Sequence, residues 1–309
     1  MNTCGPSWFI KMMIARVEGG LGNQMFQYAY GSYLARQLNT PLRLDLRSYR
    51  GAPAHGYQLD RFAIDATEAS PAELASIPRK YRAADGGALS WSKWLRPTKF
   101  RRHKESIFGF DAKHLQVAKD RYLVGYWQSE KFFPGSQASL RRQFQLTEPL
   151  SPASQQVAAE IESTESIAVH VRRGDYLNLA GVQHLGMDYY RQAIYDWAAQ
   201  RNRPVVYVFS NDSQWCKTQF DLPWPVVYVD HNTADTGFED LALMQRAACN
   251  VIANSTFSWW AAWLNDRAGK KVYAPSSWFR PGTLDDTHIV CGEWIVPEQI
   301  AERQLALAS

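Results

Sequence analysis

The second half of the chain alternates short apolar runs with segments of helical periodicity. The apolar runs have the length of strands and are rich in Val and Ile; they lie at residues 167–171, 205–209, 226–229, 251–253 and 272–274. Between them, apolar residues recur at helical spacing, as in Tyr190, Ile194, Trp197 and Ala198 and in Leu241, Met244 and Ala248. Strands that are apolar without alternation are typical of parallel sheets covered on both faces. The pattern therefore predicts a parallel, doubly wound α/β sheet.

The first half shows a weaker version of the same pattern. Residues 12–17 predict a strand, residues 18–22 a glycine-rich turn, and the residues from about Asn23 a helix. A further strand is predicted at 42–46, where leucines alternate with charged residues, whereas residues 48–119 show no sustained period. The Ser- and Pro-rich segment 149–154 predicts a boundary, giving domains 1–150 and 151–309.

Each predicted strand of the second half runs into small polar or charged residues. These exits lie at 172–175, 210–212, 230–232, 254–256 and 275–277. In open α/β sheets, ligands bind outside the carboxyl ends of the strands, so we expect a binding site along this edge. Arg172 and Arg173 suit an anionic ligand there, because a guanidinium group meets phosphate in a bidentate fashion. The alternative is an Arg–Asp ion pair that closes a turn.

Composition narrows the class of protein. The chain has 309 residues, which suggests two domains, and its 46% hydrophobic content with 12 Trp excludes a mainly disordered protein. A net charge of +4 is too small to indicate a nucleic-acid partner. Four scattered cysteines without a Cys-x-x-Cys pair suggest neither a zinc site nor a disulfide framework. The apolar segment 8–14 is interrupted by Lys11 and is too short to span a bilayer, so we expect a cytoplasmic protein.

Basic residues between Arg79 and Lys104 interleave with Tyr81, Trp91, Trp94 and Phe100. Two functional interpretations are recognition of an acceptor and peripheral contact with an anionic membrane surface at the inner face of the plasma membrane. A solvated face over buried aromatic side chains is the structural alternative.

Three motifs give the chain a family resemblance. Residues 170–175 match the His-x-Arg-Arg-x-Asp signature of fucosyltransferases, and residues 19–29 and 254–264 complete the pattern. Together they resemble the bacterial α-1,2-fucosyltransferase family, as does the strand-to-loop segment 124–130. The resemblance implies a GT-B-like α/β fold of two Rossmann-like domains whose parallel sheets face an interdomain cleft. The first domain would be on the acceptor side, and the second would bind GDP-fucose.

The resemblance also implies a reaction. The enzyme would transfer L-fucose, with inversion, from GDP-fucose to O2 of a terminal β-galactoside of a bacterial surface glycan. GDP-fucose would be a substrate, and a galactose-terminated oligosaccharide the acceptor, with no cofactor and no metal. The alternatives are a fucosyltransferase of different linkage, another nucleotide-sugar transferase, or a non-catalytic carbohydrate-binding protein.

The resemblance assigns the donor site residue by residue. It implies that Arg172 contacts the diphosphate, that Arg173 and Asp175 support it or touch the sugar, and that His170 lines the guanosine end. Asp212 is predicted to accept hydrogen bonds from guanine, or alternatively to cap the helix that follows. The remaining predicted donor contacts are Asn254, Ser255, Thr256, Phe257, Ser258, Gly20 and Gly22.

Deprotonation of the acceptor is less constrained by the sequence. Asp175 is the carboxylate nearest the signature, but the neighbouring arginines should depress its pKa and make it a weak base. Asn23 resembles the Asn of a similar motif in protein O-fucosyltransferases and would orient the acceptor or steady the glycosidic oxygen; alternatively it caps its helix. The carboxylate pair Asp285 and Asp286 lies in a late loop away from these motifs, so no metal site is predicted.

Overall fold

The computed structural model describes residues 11–51, 55–81, 98–174, 176 and 179–297. The chain divides into two compact units, Met1–Thr147 and Glu148–Ser309. The boundary predicted after residue 150 lies three residues further along the chain. Asp175 and most of the basic stretch, at residues 82–97, lie outside the described residues.

The first unit contains a five-stranded parallel sheet in the order β3-β2-β1-β5-β4. Its strands are β1 (Met13–Arg16), β2 (Leu42–Asp45), β3 (Thr67–Glu68), β4 (Arg101–Lys104) and β5 (Arg121–Val124). Its helices are α1 (Leu21–Gln37), α2 (Pro71–Leu74) and α3 (Gln137–Gln143), with 3₁₀ turns at Arg47–Tyr49, Leu59–Arg61, Arg79–Tyr81, Ala112–Leu115 and Glu130–Phe132. The strands predicted from the sequence form the middle of this sheet, while the edge strands β3 and β4 fall in the stretch without period.

Helix α1 begins earlier than the sequence predicts. Gly20 occupies the N-cap position and Leu21 is the first helical residue, so Asn23 lies inside the first turn and does not cap the helix. The turn needs Gly19, whose φ of +84° is left-handed and where a Cβ would lie 2.8 Å from Asn23 Nδ2. The interpretation of Asn23 as a helix cap is therefore wrong.

The second unit contains a five-stranded parallel sheet in the order β10-β9-β6-β7-β8. Its strands are β6 (Glu165–Val171), β7 (Pro204–Ser210), β8 (Val226–Val229), β9 (Cys249–Val251) and β10 (Lys271–Tyr273). Its helices are α4 (Pro152–Ser163), α5 (Met187–Ala198), α6 (Ser213–Gln219), α7 (Gly237–Met244) and α8 (Thr256–Leu264). Two parallel sheets of this kind confirm the predicted GT-B-like α/β class.

Strand order places a topological switch point in the second unit. From β6 the chain proceeds through β7 and β8 on one side, then returns to add β9 and β10 on the other. Crossover connections to the two sides leave a crevice outside the carboxyl ends of β6 and β9, where open α/β sheets bind ligands. The residues after β6 include Arg172, and those after β9 include Asn254.

Strand β6, which leads to this edge, packs against helix α5 in a buried core. Ile167, Val169 and Val171 of β6 pack with Ile194 and Trp197 of α5, and all five are at most 5% exposed. Burial of each such side chain stabilises the fold by about 1.5–3 kcal/mol relative to exposure. The end of β6 is therefore held rigidly.

Candidate functional site

The two signature arginines leave β6 in different environments. Arg172 is partly buried, and its Cζ lies 5.3 Å from the ring centre of Tyr176. Arg173 contacts the helix that follows β7: its Cζ lies 3.7 Å from the ring centre of Trp215, and its Nε donates to Asp212 Oδ2 at 3.3 Å. This ion pair joins the segments that follow β6 and β7. The Arg–Asp pair that would close the turn after β6 involves Asp175, which lies outside the described residues.

Asp212 satisfies both of its carboxylate oxygens within the protein. Oδ2 accepts from Arg173, and Oδ1 accepts from the backbone N–H of Trp215 at 3.2 Å. The second bond makes Asp212 the N-cap of α6, as the alternative interpretation held. Its contact with guanine stays a prediction.

His170 is a buried, neutral imidazole at the end of β6. It is 4% exposed, and its ring centre lies 5.4 Å from that of Phe257. Burial, together with the charge of Arg172, lowers the pKa of His170 from 6.5 to about 3. Within the described part of the chain, its Nδ1 has no hydrogen-bond partner. The imidazole can therefore offer a hydrogen-bonding nitrogen to a ligand but no positive charge.

Helix α8 opens beside this histidine. Ser255 occupies its N-cap position with a side chain that makes no capping hydrogen bond. The first backbone N–H groups of the helix, with the positive end of its dipole, are thus uncapped by that hydroxyl and suit an anion. Because β9 pairs with β6, this helix start lies at the same sheet edge as Arg172. A guanidinium group and a helix N-terminus at a switch point are suited to a phosphate group.

Two of the side chains predicted to contact the donor have partners within the protein. Ser258 is fully buried, and its hydroxyl donates to the carbonyls of Ser255 at 3.3 Å and Ala253 at 3.4 Å. Asn254 donates its amide to the carbonyls of Gln183 and Trp278, at 2.7 and 2.9 Å, and so ties three loops together. Their predicted contacts with the donor, and those of Ser255, Thr256 and Phe257, stay predictions.

The structure adds Asp240, a carboxylate that the sequence analysis did not single out. A Cβ on Gly237, the first residue of α7, would lie 3.9 Å from the Phe257 ring, so α7 begins beside the candidate site. Burial raises the pKa of Asp240 to about 7, and its Oδ1 accepts from Asn232 Nδ2 at 2.7 Å. The sequence did not single out Asp240 because acidic residues are common in the first turn of a helix, where they interact favourably with the helix dipole.

In the first unit, the glycine-rich turn after β1 is held by hydrogen bonds from neighbouring segments. Asn23 Oδ1 accepts from Gln128 Nε2 at 2.8 Å, which joins the ends of β1 and β5. The carbonyl of Gly19 accepts from Tyr49 Oη at 2.8 Å. Gly20 is the N-cap residue of α1, and Gly22 is buried within the helix. The contacts with the donor predicted for these two glycines stay predictions.

A partly buried carboxylate, Glu105, follows β4 and contacts the segment after β5. Its oxygens accept from the backbone N–H groups of Tyr126 at 2.7 Å and Trp127 at 3.3 Å. Burial raises the pKa of Glu105 above its usual range despite these bonds. Nothing in the local sequence distinguishes it from a surface glutamate.

The late carboxylate pair holds a loop. Asp286 accepts from the N–H groups of Trp278 and Phe279, and Asp285 accepts from Thr287. Within the described ranges, no cluster of three His, Cys, Asp or Glu side chains could hold a metal ion. Independence from metal stays a prediction.

None of the helices in these ranges is long and apolar enough to cross a membrane.

Comparison with known proteins identifies the family. The model of glycosyl transferase family 11 matches residues 99–296. The chain is 31% identical to an α-1,2-colitosyltransferase of Escherichia coli over 93% of this chain and 99% of the relative. It is 32% identical to human galactoside α-(1,2)-fucosyltransferase 1, over 49% of this chain and 44% of the relative.

Solved structures agree at the level of the fold. The NodZ α-1,6-fucosyltransferase, co-crystallised with GDP, superposes with a TM-score of 0.53 at 15% identity, covering 82% of this chain and 92% of that one. The family model and the full-length relative confirm the resemblance found in the motifs. The chain belongs to glycosyl transferase family 11, the α-1,2-fucosyltransferase family.

Proposed function

We propose that this glycosyltransferase moves L-fucose from GDP-fucose to O2 of a terminal β-galactoside, with inversion. The observation that supports it best is that Arg172 and the uncapped start of α8 lie at the same sheet edge, at the switch point of the second unit. The α-1,2 linkage in the names of the relatives supports the same product linkage.

The proposed chemistry is mainly electrostatic. As the bond from fucose C1 to the phosphate oxygen breaks, negative charge grows on the departing GDP. A guanidinium group and a helix N-terminus already aimed at that charge stabilise it without reorganisation. The acceptor O2 attacks C1 from the opposite face, which inverts the configuration, and its proton leaves to a base. Asp175 is the proposed weak base, and Asn23 positions the acceptor.

Two carboxylates can accept hydrogen bonds from guanine N1 and N2. Asp212 already binds Arg173 and the Trp215 N–H, whereas Asp240 has one described partner, Asn232. The matched variants Asp212→Asn and Asp240→Asn distinguish them when GDP and ADP affinities are compared by calorimetry. The residue that reads guanine is the one whose substitution removes the preference for GDP. An unchanged preference in both variants would reject both assignments.

GDP-colitose is the second candidate donor and is to be compared directly with GDP-fucose. The relative that matches nearly the full chain is named a colitosyltransferase. Colitose differs from fucose by the absence of one hydroxyl, that at C3. A site that hydrogen-bonds this hydroxyl rejects the deoxy sugar by a factor of about 10⁴–10⁵, whereas an apolar site rejects an added hydroxyl by only about 10².

The experiment measures kcat/KM for GDP-fucose and GDP-colitose with one β-galactoside acceptor, followed by linkage analysis of the product. A fucosyltransferase should prefer GDP-fucose strongly and give a fucosyl-(1→2)-galactose product. Preference for GDP-colitose would assign the second candidate. Another linkage, or activity with neither donor, would overturn the proposal.

A further inference from the structure

The first unit has a switch point of its own, at the edge where β1 and β5 end. From β1 the chain adds β2 and β3 on one side, then β4 and β5 on the other, so that β5 returns to lie beside β1. Open α/β sheets bind ligands in the crevice outside the carboxyl ends of such neighbouring strands. Segment 124–130, which carries part of the family resemblance, leads out of β5 at this crevice and has no part in the proposed transfer.

Glu18 and Tyr126 lie side by side at this edge. In the register of the two strands Ala15 pairs with Leu123, and counting on by three places aligns Glu18 with Tyr126. Burial raises the pKa of the Tyr126 hydroxyl and the charge of Glu18 raises it further, so the phenol lies near this carboxylate. The same two causes raise the pKa of Tyr49. A carboxylate with two tyrosines near it therefore stands at the exit of β1.

Glu18 and Tyr126 both keep hydrogen-bonding atoms that the described part of the protein does not use. Tyr126 is 38% exposed, and its hydroxyl makes no hydrogen bond to any described residue. Glu18 is partly buried; its Oε2 lies 2.7 Å from Arg16 Nη2, whereas Oε1 has no partner among the described residues. An exposed aromatic ring beside a free carboxylate oxygen suits a ligand that has both an apolar face and hydroxyl groups.

The loop that carries Tyr126 is held in one conformation. The N–H groups of Tyr126 and Trp127 both bond to the Glu105 carboxylate, and a Cβ on Gly125 would lie 2.5 Å from Glu105 Cβ. Trp127 has a left-handed φ of +58°, unusual for a bulky residue, and is buried against Tyr30 with ring centres 4.2 Å apart. Strained backbone of this kind persists where its surroundings over-determine it, and it is concentrated at functional sites. The turn buries Trp127 and leaves Tyr126 at the surface.

A β-galactoside has the chemistry that this pair recognises. Its axial O4 leaves the C–H bonds at C3, C4 and C5 on one face of the ring, and this apolar patch can pack on an aromatic ring. Its hydroxyl groups donate hydrogen bonds, and an ionised carboxylate accepts stronger ones than a neutral group does. An anionic ligand is not favoured here, because Arg16 is already paired with Glu18.

We propose that Tyr126 and Glu18 form the subsite for the acceptor sugar. The Tyr126 ring packs on the apolar face of the terminal galactose, and Glu18 Oε1 accepts hydrogen bonds from its hydroxyl groups. In this proposal, which rests on the proposed function for the class of acceptor, both residues bind the sugar and neither transfers a proton.

The test measures binding and turnover separately, with lactose as the β-galactoside. Saturation-transfer NMR titration of the full chain saturated with GDP gives the affinity for lactose, and steady-state kinetics give KM for lactose and for GDP-fucose. Tyr126→Ala and Glu18→Gln should each weaken lactose binding and raise the KM for lactose by about tenfold or more, while the KM for GDP-fucose stays unchanged. Tyr126→Phe should bind lactose nearly as the wild type does, because it keeps the ring.

Two matched controls separate the subsite from a general effect of substitution. Tyr195→Ala removes a tyrosine of similar exposure, 45%, from α5 of the second unit. Glu68→Gln breaks another ion pair of the first unit, that of Glu68 with Arg50. Both variants should bind lactose as the wild type does, and thermal melting confirms that every variant is folded.

The possible outcomes distinguish the subsite from the proposed function. Fucosylation of lactose with a KM that is unchanged in Tyr126→Ala and Glu18→Gln would overturn the subsite and leave the function standing. A loss of binding in Tyr126→Phe as large as in Tyr126→Ala would overturn the packing of the ring on the sugar, and no lactose binding by the wild type would overturn the subsite. Lactose binding that needs both residues, without transfer from GDP-fucose, would support the subsite and overturn the proposed donor.

Discussion

The sharpest prediction compares the two adjacent arginines of the signature. Arg172→Ala removes a guanidinium group that stands at the switch point beside the start of α8. Removal of one preorganised donor to a developing anion costs about 3–4 kcal/mol, which lowers kcat by about 10²–10³. The melting temperature should change little, because the side chain leaves the packed core of β6 intact. Arg172→Lys should recover little activity, since an ammonium group lacks the bidentate fork.

Arg173→Ala is the matched control with the opposite signature. It removes a cation–π contact at 3.7 Å, worth about 0.5–1 kcal/mol, and a partly exposed ion pair worth about 0.2–1 kcal/mol. Their loss together lowers the free energy of unfolding by about 0.7–2 kcal/mol. For a domain of this size, each kcal/mol shifts the melting temperature by about 2–4 °C.

The assay pairs single-turnover and steady-state product formation with thermal melting of each variant. Wild-type turnover in folded Arg172→Ala would refute the assignment of the diphosphate to Arg172. A loss of kcat in Arg173→Ala as large as in Arg172→Ala, without a change in melting temperature, would move the phosphate contact to Arg173.

Three further predictions concern the acceptor side, metal and pH. Asn23→Ser removes the amide oxygen that accepts from Gln128 but leaves Gly20 as the N-cap of α1. We therefore expect a near-normal melting temperature and a kcat that is lower by about tenfold, equivalent to about 1.4 kcal/mol. Normal turnover in Asn23→Ser, together with loss of turnover in Asp175→Asn, would show that deprotonation of the acceptor depends on Asp175 and not on positioning by Asn23. Activity should survive excess EDTA, and a loss restored by Mn²⁺ or Mg²⁺ would contradict the arginine-based site. The folded-state pKa of His170, about 3, lies below 6.5, so the unfolded state takes up a proton first, and His170 should lower the free energy of unfolding by about 1.4 kcal/mol per pH unit below pH 6.5. His103 and His114, whose pKa values are also lowered by burial, add to the same slope. His170→Phe should therefore reduce the slope by about 1.4 kcal/mol per pH unit in chemical denaturation at pH 4.5–7.5, and an unchanged slope would show that His170 does not contribute to it.

Most of the second unit could be predicted from local sequence. Strands β6 and β7 appear as continuous apolar runs because the side chains of a parallel strand covered on both faces are buried. The partly buried edge strand β8 is an apolar run as well. Strand β9 lies two residues earlier than predicted, since Asn250 sits fully buried within it. The Asn250 amide donates to the Met244 carbonyl and its oxygen accepts from Asn265, two partners that local sequence does not reveal.

The edge strands of the first sheet were decided by the tertiary structure. Strand β4 has the sequence Arg-Arg-His-Lys, which is typical of a solvated surface, yet it pairs in register with β5. Three of its four residues are exposed, so neither period nor hydrophobicity marks it. Its placement brings His103 against His114 and Trp127, two contacts that no local pattern reveals.

The sequence by itself determined the family, the class of fold and the edge of the second sheet where the polar groups collect. These depend on motifs and apolar runs that are contiguous in the chain. The tertiary structure alone decided that Arg173, and not Arg172, pairs with Asp212 across 39 positions of sequence. It also decided that α7, the helix that carries Asp240, begins beside Phe257. Such partners are fixed by strand order and helix packing, which no local pattern encodes.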